Sequence, residues 1–194
     1  MTDQLATDED INALVALLQS DERNDLKSID DLLAKHPDDP RLHFMRGSVL
    51  AGKAQPLEAH GAMQRAVEIA PGFAIARYQL GFFELTSGEA DRALSTWGPL
   101  LAEADDNYLR VFVEGMTHLI RDEFEPAIEK FEHGMRLNQE NEPLNNDIKL
   151  LMTEIGKLAD KRGQSGDDDD DGDGSDLSAT SLILGQFGGN RTIN

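Results

Sequence analysis

Residues 74–107 read AIARYQLGFFELTSGEADRALSTWGPLLAEADDN, and residues 108–141 read YLRVFVEGMTHLIRDEFEPAIEKFEHGMRLNQEN. Laid over each other, the two stretches put Gly81 on Gly115, Ala93 on Ala127 and Trp97 on Phe131. One step of the same length upstream, the equivalent positions hold Gly47, Ala59 and Met63. Ala66, Leu100 and Gly134 keep the step, as do Pro37 and Pro71. A period of about 34 marks stacked helix–turn–helix units, each too small to bury its apolar face alone.

The recurring residues have physical roles. Gly47, Gly81 and Gly115 fall within helical patterns, where glycine costs about 1 kcal/mol against alanine. A costly residue kept in register predicts close approach of two backbones. Ala59, Ala93 and Ala127 are the small residues expected on the partner helix, with Met63, Trp97 and Phe131 filling the space beyond. Gly88, in Ser87-Gly88-Glu89, marks the turn between the two helices of its unit.

On these residues the chain resembles the tetratricopeptide repeat proteins. Leu80-Gly81 and Ala93 in one unit, and Phe124, Ala127 and Phe131 in the next, carry the resemblance. It covers residues 40–73, 74–107 and 108–141 as clear repeats and 6–39 as a degenerate one. In that first repeat Ala13 stands at the glycine position and Asp25 at the alanine position. The fold class implied is all-α, a right-handed superhelix of antiparallel helix pairs closed by a capping helix over 142–160.

Helical spacing predicts the elements individually. Thr7–Ser20 is capped by Thr7 or Asp8 and has Leu14, Leu17 and Leu18 as its stripe. Asn24–Lys35 presents Leu26, Ile29, Leu32 and Leu33 and is stopped by His36-Pro37-Asp38-Asp39-Pro40. Then follow Pro40–Ala51, Gln55–Ile69, Ala74–Thr86, Glu89–Glu103, Tyr108–Arg121 and Phe124–Leu137. Pro143 opens the last helix as a first-turn residue, with Leu144, Ile148, Leu151, Ile155 and Leu158 inward. From Lys161 to Asp176 the composition turns to Gly, Ser and Asp, which predicts an acidic disordered linker. A short apolar tail segment over 177–194, with Leu182, Ile183, Leu184 and Phe187, follows it.

Charge and composition narrow the function. The chain has 194 residues, 37 Asp and Glu, 18 Lys and Arg, and a net charge of −19. Seven of those acids and three of those bases lie after residue 160, which leaves 30 acids against 15 bases in the repeat body. Clustered cations are what nucleic acid and anionic membranes require, so neither is an expected partner. There is no cysteine, hence no disulfide and no thiol nucleophile. The start has neither a basic nor an apolar signal region, and no apolar run approaches a membrane span, so a cytoplasmic location is the expectation.

The spacings searched for chemistry yield no enzyme. Asp167, Asp169, Asp171 and Gly172 resemble the opening of a calcium loop, but Ser178 stands where the bidentate Glu belongs. His36, His43, His60, His118 and His133 form no close metal-binding spacing. No cofactor and no metal site are expected.

The resemblance implies that the first helix of each repeat lines a concave groove. The matching positions are Phe44, Ile75, Tyr78, Phe82, Leu85, Leu109, Phe112, Met116 and Ile120. The chaperone-tail clamp of that family is absent, because its positions hold Phe44, Ser48, Gln79, Leu109 and Val113 rather than cations and asparagines. The reading is a non-catalytic protein–protein interaction module, an adaptor or scaffold, binding an apolar peptide segment. Its own tail, through Leu182, Ile183, Leu184 and Phe187, is a candidate occupant and gate. Two other roles stay open: a chaperone for hydrophobic segments of secreted proteins, as in the small three-repeat chaperones of bacterial secretion systems, and a structural assembly subunit.

Overall fold

The structure, a computed structural model, describes residues 5–20 and 25–165. Among them every regular element is helical. In chain order these are α1 (Asp8–Ser20), α2 (Asp25–Leu33), α3 (Pro40–Gly52), α4 (Pro56–Ile69), α5 (Ala74–Thr86), α6 (Ala90–Trp97), α7 (Tyr108–Ile120), α8 (Phe124–Leu137) and α9 (Glu142–Ser165). A 3-10 turn over Gly98–Ala102 follows α6. The chain divides into two compact units, one up to Leu80 and the other from Gly81, with the division inside α5.

In the first unit α3 packs on α4 and on α2. Gly47 sets the α3–α4 distance: a methyl group there would fall 2.6 Å from Met63 Cγ and 3.1 Å from the Ala59 carbonyl. Ala59 is fully buried. The α1–α2 pair follows a different scheme. Ala13, at the glycine position, is exposed, and Leu14 and Ile29 form a small core with Leu42, supported by Ile11, Leu32 and Met45. The repeated close approach therefore starts with α3.

The second unit keeps the pattern. Gly81 faces the indole of Trp97, and a methyl group at Gly115 would meet Phe131 Cε1 at 2.6 Å. Ala93 and Ala127 are fully buried, like Ala59. Glycine on the first helix, alanine on the second and a bulky residue one turn further form one contact that recurs in each clear repeat.

Two boundaries differ from expectation by more than two residues. The helix predicted over Glu89–Glu103 ends at Trp97 and continues as the 3-10 turn. Pro99 explains this, since it has no N–H to give and its ring clashes with the carbonyl four residues back. At the other end α9 runs to Ser165, past Lys161, where composition places the start of the linker. Its face toward α8 carries Leu144, Ile148, Leu151, Ile155 and Leu158, all buried. The rest of the acidic linker and the tail residues Leu182, Ile183, Leu184 and Phe187 lie outside the described residues.

The termini of the helices repeat too. Ala54, Gly88 and Asp122 share one repeat position and have φ of 55°, 87° and 60°. Each follows the first helix of its pair. The N–H of Gln55, Glu89 and Glu123 donates to the carbonyl of Leu50, Glu84 and His118, at 3.0, 2.9 and 3.0 Å. This 6→1 bond, with a left-handed residue before it, is the Schellman stop. At the opposite ends Asp39, Asn107 and Asn141 cap α3, α7 and α9, their side chains accepting from Arg41 N, Leu109 N and Leu144 N. They too share one repeat position, with Phe73 in the remaining place.

Candidate functional site

The side chains expected to line the groove sit at equivalent places on α3, α5 and α7, and their exposure differs. Phe44 and Ile75 are half-buried in the first unit, and Phe82 and Ile120 in the second. Tyr78, Leu85, Leu109, Phe112 and Met116 are buried, none more than 3% exposed. Those five are packed side chains in this conformation, and no partner reaches them without displacing what covers them. Phe112 lies directly against Gly134 of α8, close enough that a methyl group there would clash with its ring.

Aromatic contacts orient half-buried Phe44 and buried Phe112. Phe44 meets Phe73 edge to face, with ring centroids 5.5 Å apart and planes at 66°. Phe73 occupies the place where neighbouring pairs have a polar cap, so α5 begins with an aromatic contact instead of a side-chain hydrogen bond. Tyr108 meets Phe112 in the same manner at 6.0 Å. Burial, with the nearby Glu140 charge, raises the Tyr108 hydroxyl pKa above its ordinary value. The phenol thus stays neutral, an apolar body with a donor at its tip.

Three polar networks, not anticipated from the sequence, brace the helices around these residues. Asp39 is fully buried. Its Oδ1 accepts from Arg41 Nε at 3.1 Å, and its Oδ2 from Arg41 Nη2 at 2.8 Å and from Ala6 N at 3.0 Å. Arg41 Nη2 also donates to the Ala6 carbonyl, and Nη1 to Asp8 at 3.1 Å. The carboxylate and guanidinium together satisfy both backbone groups of Ala6 and pin the chain entering α1. Burial pushes the Asp39 pKa up, but the bonds from Arg41 and Ala6 outweigh it, and the net shift is downward.

In the second unit Glu114 of α7 accepts from Lys130 Nζ of α8 at 2.5 Å and from Arg110 Nε at 3.1 Å. Desolvation is again the largest single influence on that carboxyl, and the two cations together lower its pKa in spite of it. Asn138, buried, bridges the α8–α9 corner: its amide donates to the Asn141 carbonyl and to Asn145 Oδ1, both at 2.9 Å. The sequence carries a signal for part of this. Asp39, Asn107 and Asn141 recur in step with the glycines, and the residue type at each is a good helix cap.

Nothing in these arrangements assembles reaction chemistry. No group of three or more His, Asp or Glu side chains among the described residues is placed to hold a metal ion. His118 Nδ1 lies 2.5 Å from Glu123 Oε2 at the end of α7, where it ties down the turn. A shallow depression lined by Glu129, Lys130, Glu132, His133 and Arg136 of α8 is polar and open, unsuited to an apolar anchor. No helix of the described residues is long and apolar enough to cross a membrane.

Comparison with known proteins adds one likeness. No family model matches the chain, and no curated protein matches it. Among solved structures, the chain is similar to the MamA RS-1 ArsTM double mutant, with 17% identity and a TM-score of 0.53, over 82% of this chain and 96% of that one. At that identity the likeness speaks to the fold alone: the chain is an all-helical protein with a tetratricopeptide-like structural neighbour.

Proposed function

We propose that this chain is a non-catalytic protein-interaction module that holds an apolar peptide segment against the first helices of its repeats. The observation that carries the reading is the half-buried pair on each unit: Phe44 and Ile75 on the first, Phe82 and Ile120 on the second. All four stand at first-helix positions, and large apolar side chains held partly open on rigid helices are what an apolar partner anchors to. The fold of the structural neighbour supports a helical-repeat scaffold. An adaptor is preferred to a catalyst because Asp39, Glu114 and their cations serve caps and helix–helix ties. The C-terminal tail is the chain's own candidate for the same faces.

The test is capture by the immobilised full chain, read by mass spectrometry, beside variants Phe82→Asp and Ile120→Asp. The expected outcome is a polypeptide retained by the natural chain and lost from both variants while their thermal midpoints stay close to it. Equal retention by the variants overturns the reading.

A further inference from the structure

The first unit begins with a helix that lacks a polar outer side. Measured from Leu18 at about 100° per residue, Ile11 and Leu14 lie within about 40° and turn to the small core with Ile29 and Leu42. Ala16 and Ala13 lie about 160° and 140° round, on the opposite side, and both are exposed. Val15 and Leu17, on the flanks, are 39% and 38% exposed. From Ile11 to Leu18 only Asn12 is polar, so α1 is apolar nearly all round. Such a helix is ordinarily covered on every side. The last helix shows the other solution. Opposite the buried stripe of α9 stand Asn146, Lys149 and Thr153, all exposed, with Leu150 open on the flank. That polar outer side is what the end of a repeat array requires, and α1 has none.

We infer that the outward face of α1, through Ala13, Ala16 and Leu17, docks a cationic amphipathic helix of another protein. Charge selects the occupant. Residues 1–39 hold 11 acids against 3 bases, whereas residues 40–160 hold 19 against 12. α1 opens with Asp8, Glu9 and Asp10 and contains no base. Arg41, Arg46 and Lys27 pair with Asp8, Asp30 and Asp31, and still leave this end strongly negative. Glu9 lies on the outward side, in line with Ala13 and Ala16. An apolar strip in an acidic surround fits a helix whose apolar stripe is flanked by Lys or Arg. A second copy of this chain is the poorer occupant, because two such ends repel each other. Alanine at the centre of the strip lets a second helix axis approach to about 8 Å. One helix laid on α1 buries less than a standard interface, so the contact is weak and salt-sensitive. The strip does not include Phe44, Ile75, Phe82 or Ile120, and the inference does not depend on the groove reading.

Three synthetic helices, titrated into the nitrogen-labelled full chain and read by NMR, test this. The first has an alanine–leucine stripe flanked by lysines. The second has glutamates in place of the lysines, and the third keeps the lysines but has glutamines in place of the leucines. The first should shift the amides of Ala13, Ala16 and Leu17 and bind about tenfold tighter than either of the others at low salt. Its affinity should fall several-fold between about 0.05 and 0.5 M salt. Ala16→Arg, which sets bulk and a like charge on the outward face, should weaken it by about tenfold with an unchanged thermal midpoint. Glu9→Gln, which removes charge alone, should weaken it by about two- to threefold, and decides the matter if Ala16→Arg lowers the midpoint. Phe82→Asp and Ile120→Asp should leave it unchanged, so failure of the groove reading and failure of this one are told apart. Equal binding of the three helices, shifts centred on α3 or α5, or variants of α1 that bind like the natural chain overturn the inference. So do α1 shifts that follow the chain's own concentration, which would assign the face to a second copy.

Discussion

Gly81 lies against the indole of Trp97, sixteen residues further along the chain, and the same offset joins Gly47 to Met63 and Gly115 to Phe131. The glycines are there because a side chain would collide, and the collision differs in kind. At Gly81 a methyl group meets the rigid indole; at Gly47 it meets the flexible Met63 chain at 2.6 Å, with backbone at 3.1 Å. Gly81→Ala should therefore destabilise by about 1–2 kcal/mol, overpacking outweighing alanine's better helix propensity. Gly47→Ala should cost less. Gly61→Ala, with nothing within 4 Å, should stabilise by about 0.5–1 kcal/mol. Urea unfolding of the three variants gives the order directly, and equal effects at Gly81 and Gly61 would contradict the packing.

The left-handed stops make a second prediction. Ala54 has a φ of 55° with no glycine to relieve it, whereas Gly88 has a φ of 87°. An L side chain there costs about 1–2 kcal/mol, reduced by the entropy glycine loses on folding. Ala54→Gly should raise the thermal midpoint, and Gly88→Ala should lower it. The two shifts should have opposite signs in one calorimetric series.

Acid should act through Asp39. Its folded-state pKa lies below the unfolded value, so its contribution is fully present above the ordinary carboxylate pKa and is lost as pH falls through the depressed one. Asp39→Asn should cost roughly 3 kcal/mol at neutral pH, the low end for breaking a buried pair, because Arg41 can regain water. The gap between variant and natural chain should narrow as pH is lowered below about 4. A gap constant from neutral to acid pH would remove the ion pair as its cause.

Phe82 and Phe112 should separate binding from folding. Phe112 is fully buried against Gly134, so Phe112→Ala should cost about 3–5 kcal/mol of stability. Half-buried Phe82 should cost clearly less in stability when cut to alanine, and more than tenfold in affinity for a captured partner, as an interface anchor does. Chemical unfolding and partner titration of the same two proteins settle which residue belongs to which class.

Much of the architecture was legible because a repeat writes its packing contact several times over. Gly81, Ala93 and Trp97 could each be coincidence; recurring together once per repeat, they specify paired helices and where those helices touch. Pro99 was equally legible as a helix stop, yet the apolar spacing across Glu89–Glu103 masked it. The stops at Ala54 and Asp122 were hidden because neither is glycine, and only their register with Gly88 betrays them.

The candidate site was less legible, for a physical reason. Periodicity tells which residues share a helix face; it does not tell what lies on top of that face. Phe44 and Phe112 are one repeat position with one side chain, and one is half-buried while the other is fully buried. The sequence alone determined the all-helical repeat, the small-residue contacts and the acidic body, since these depend on local pattern and composition. Burial of Tyr78, Leu109 and Met116, the clamp of Asp39 and Arg41 on Ala6, and the tie from Glu114 to Lys130 were decided only by tertiary structure. Each joins or covers groups from parts of the chain whose meeting no local spacing encodes.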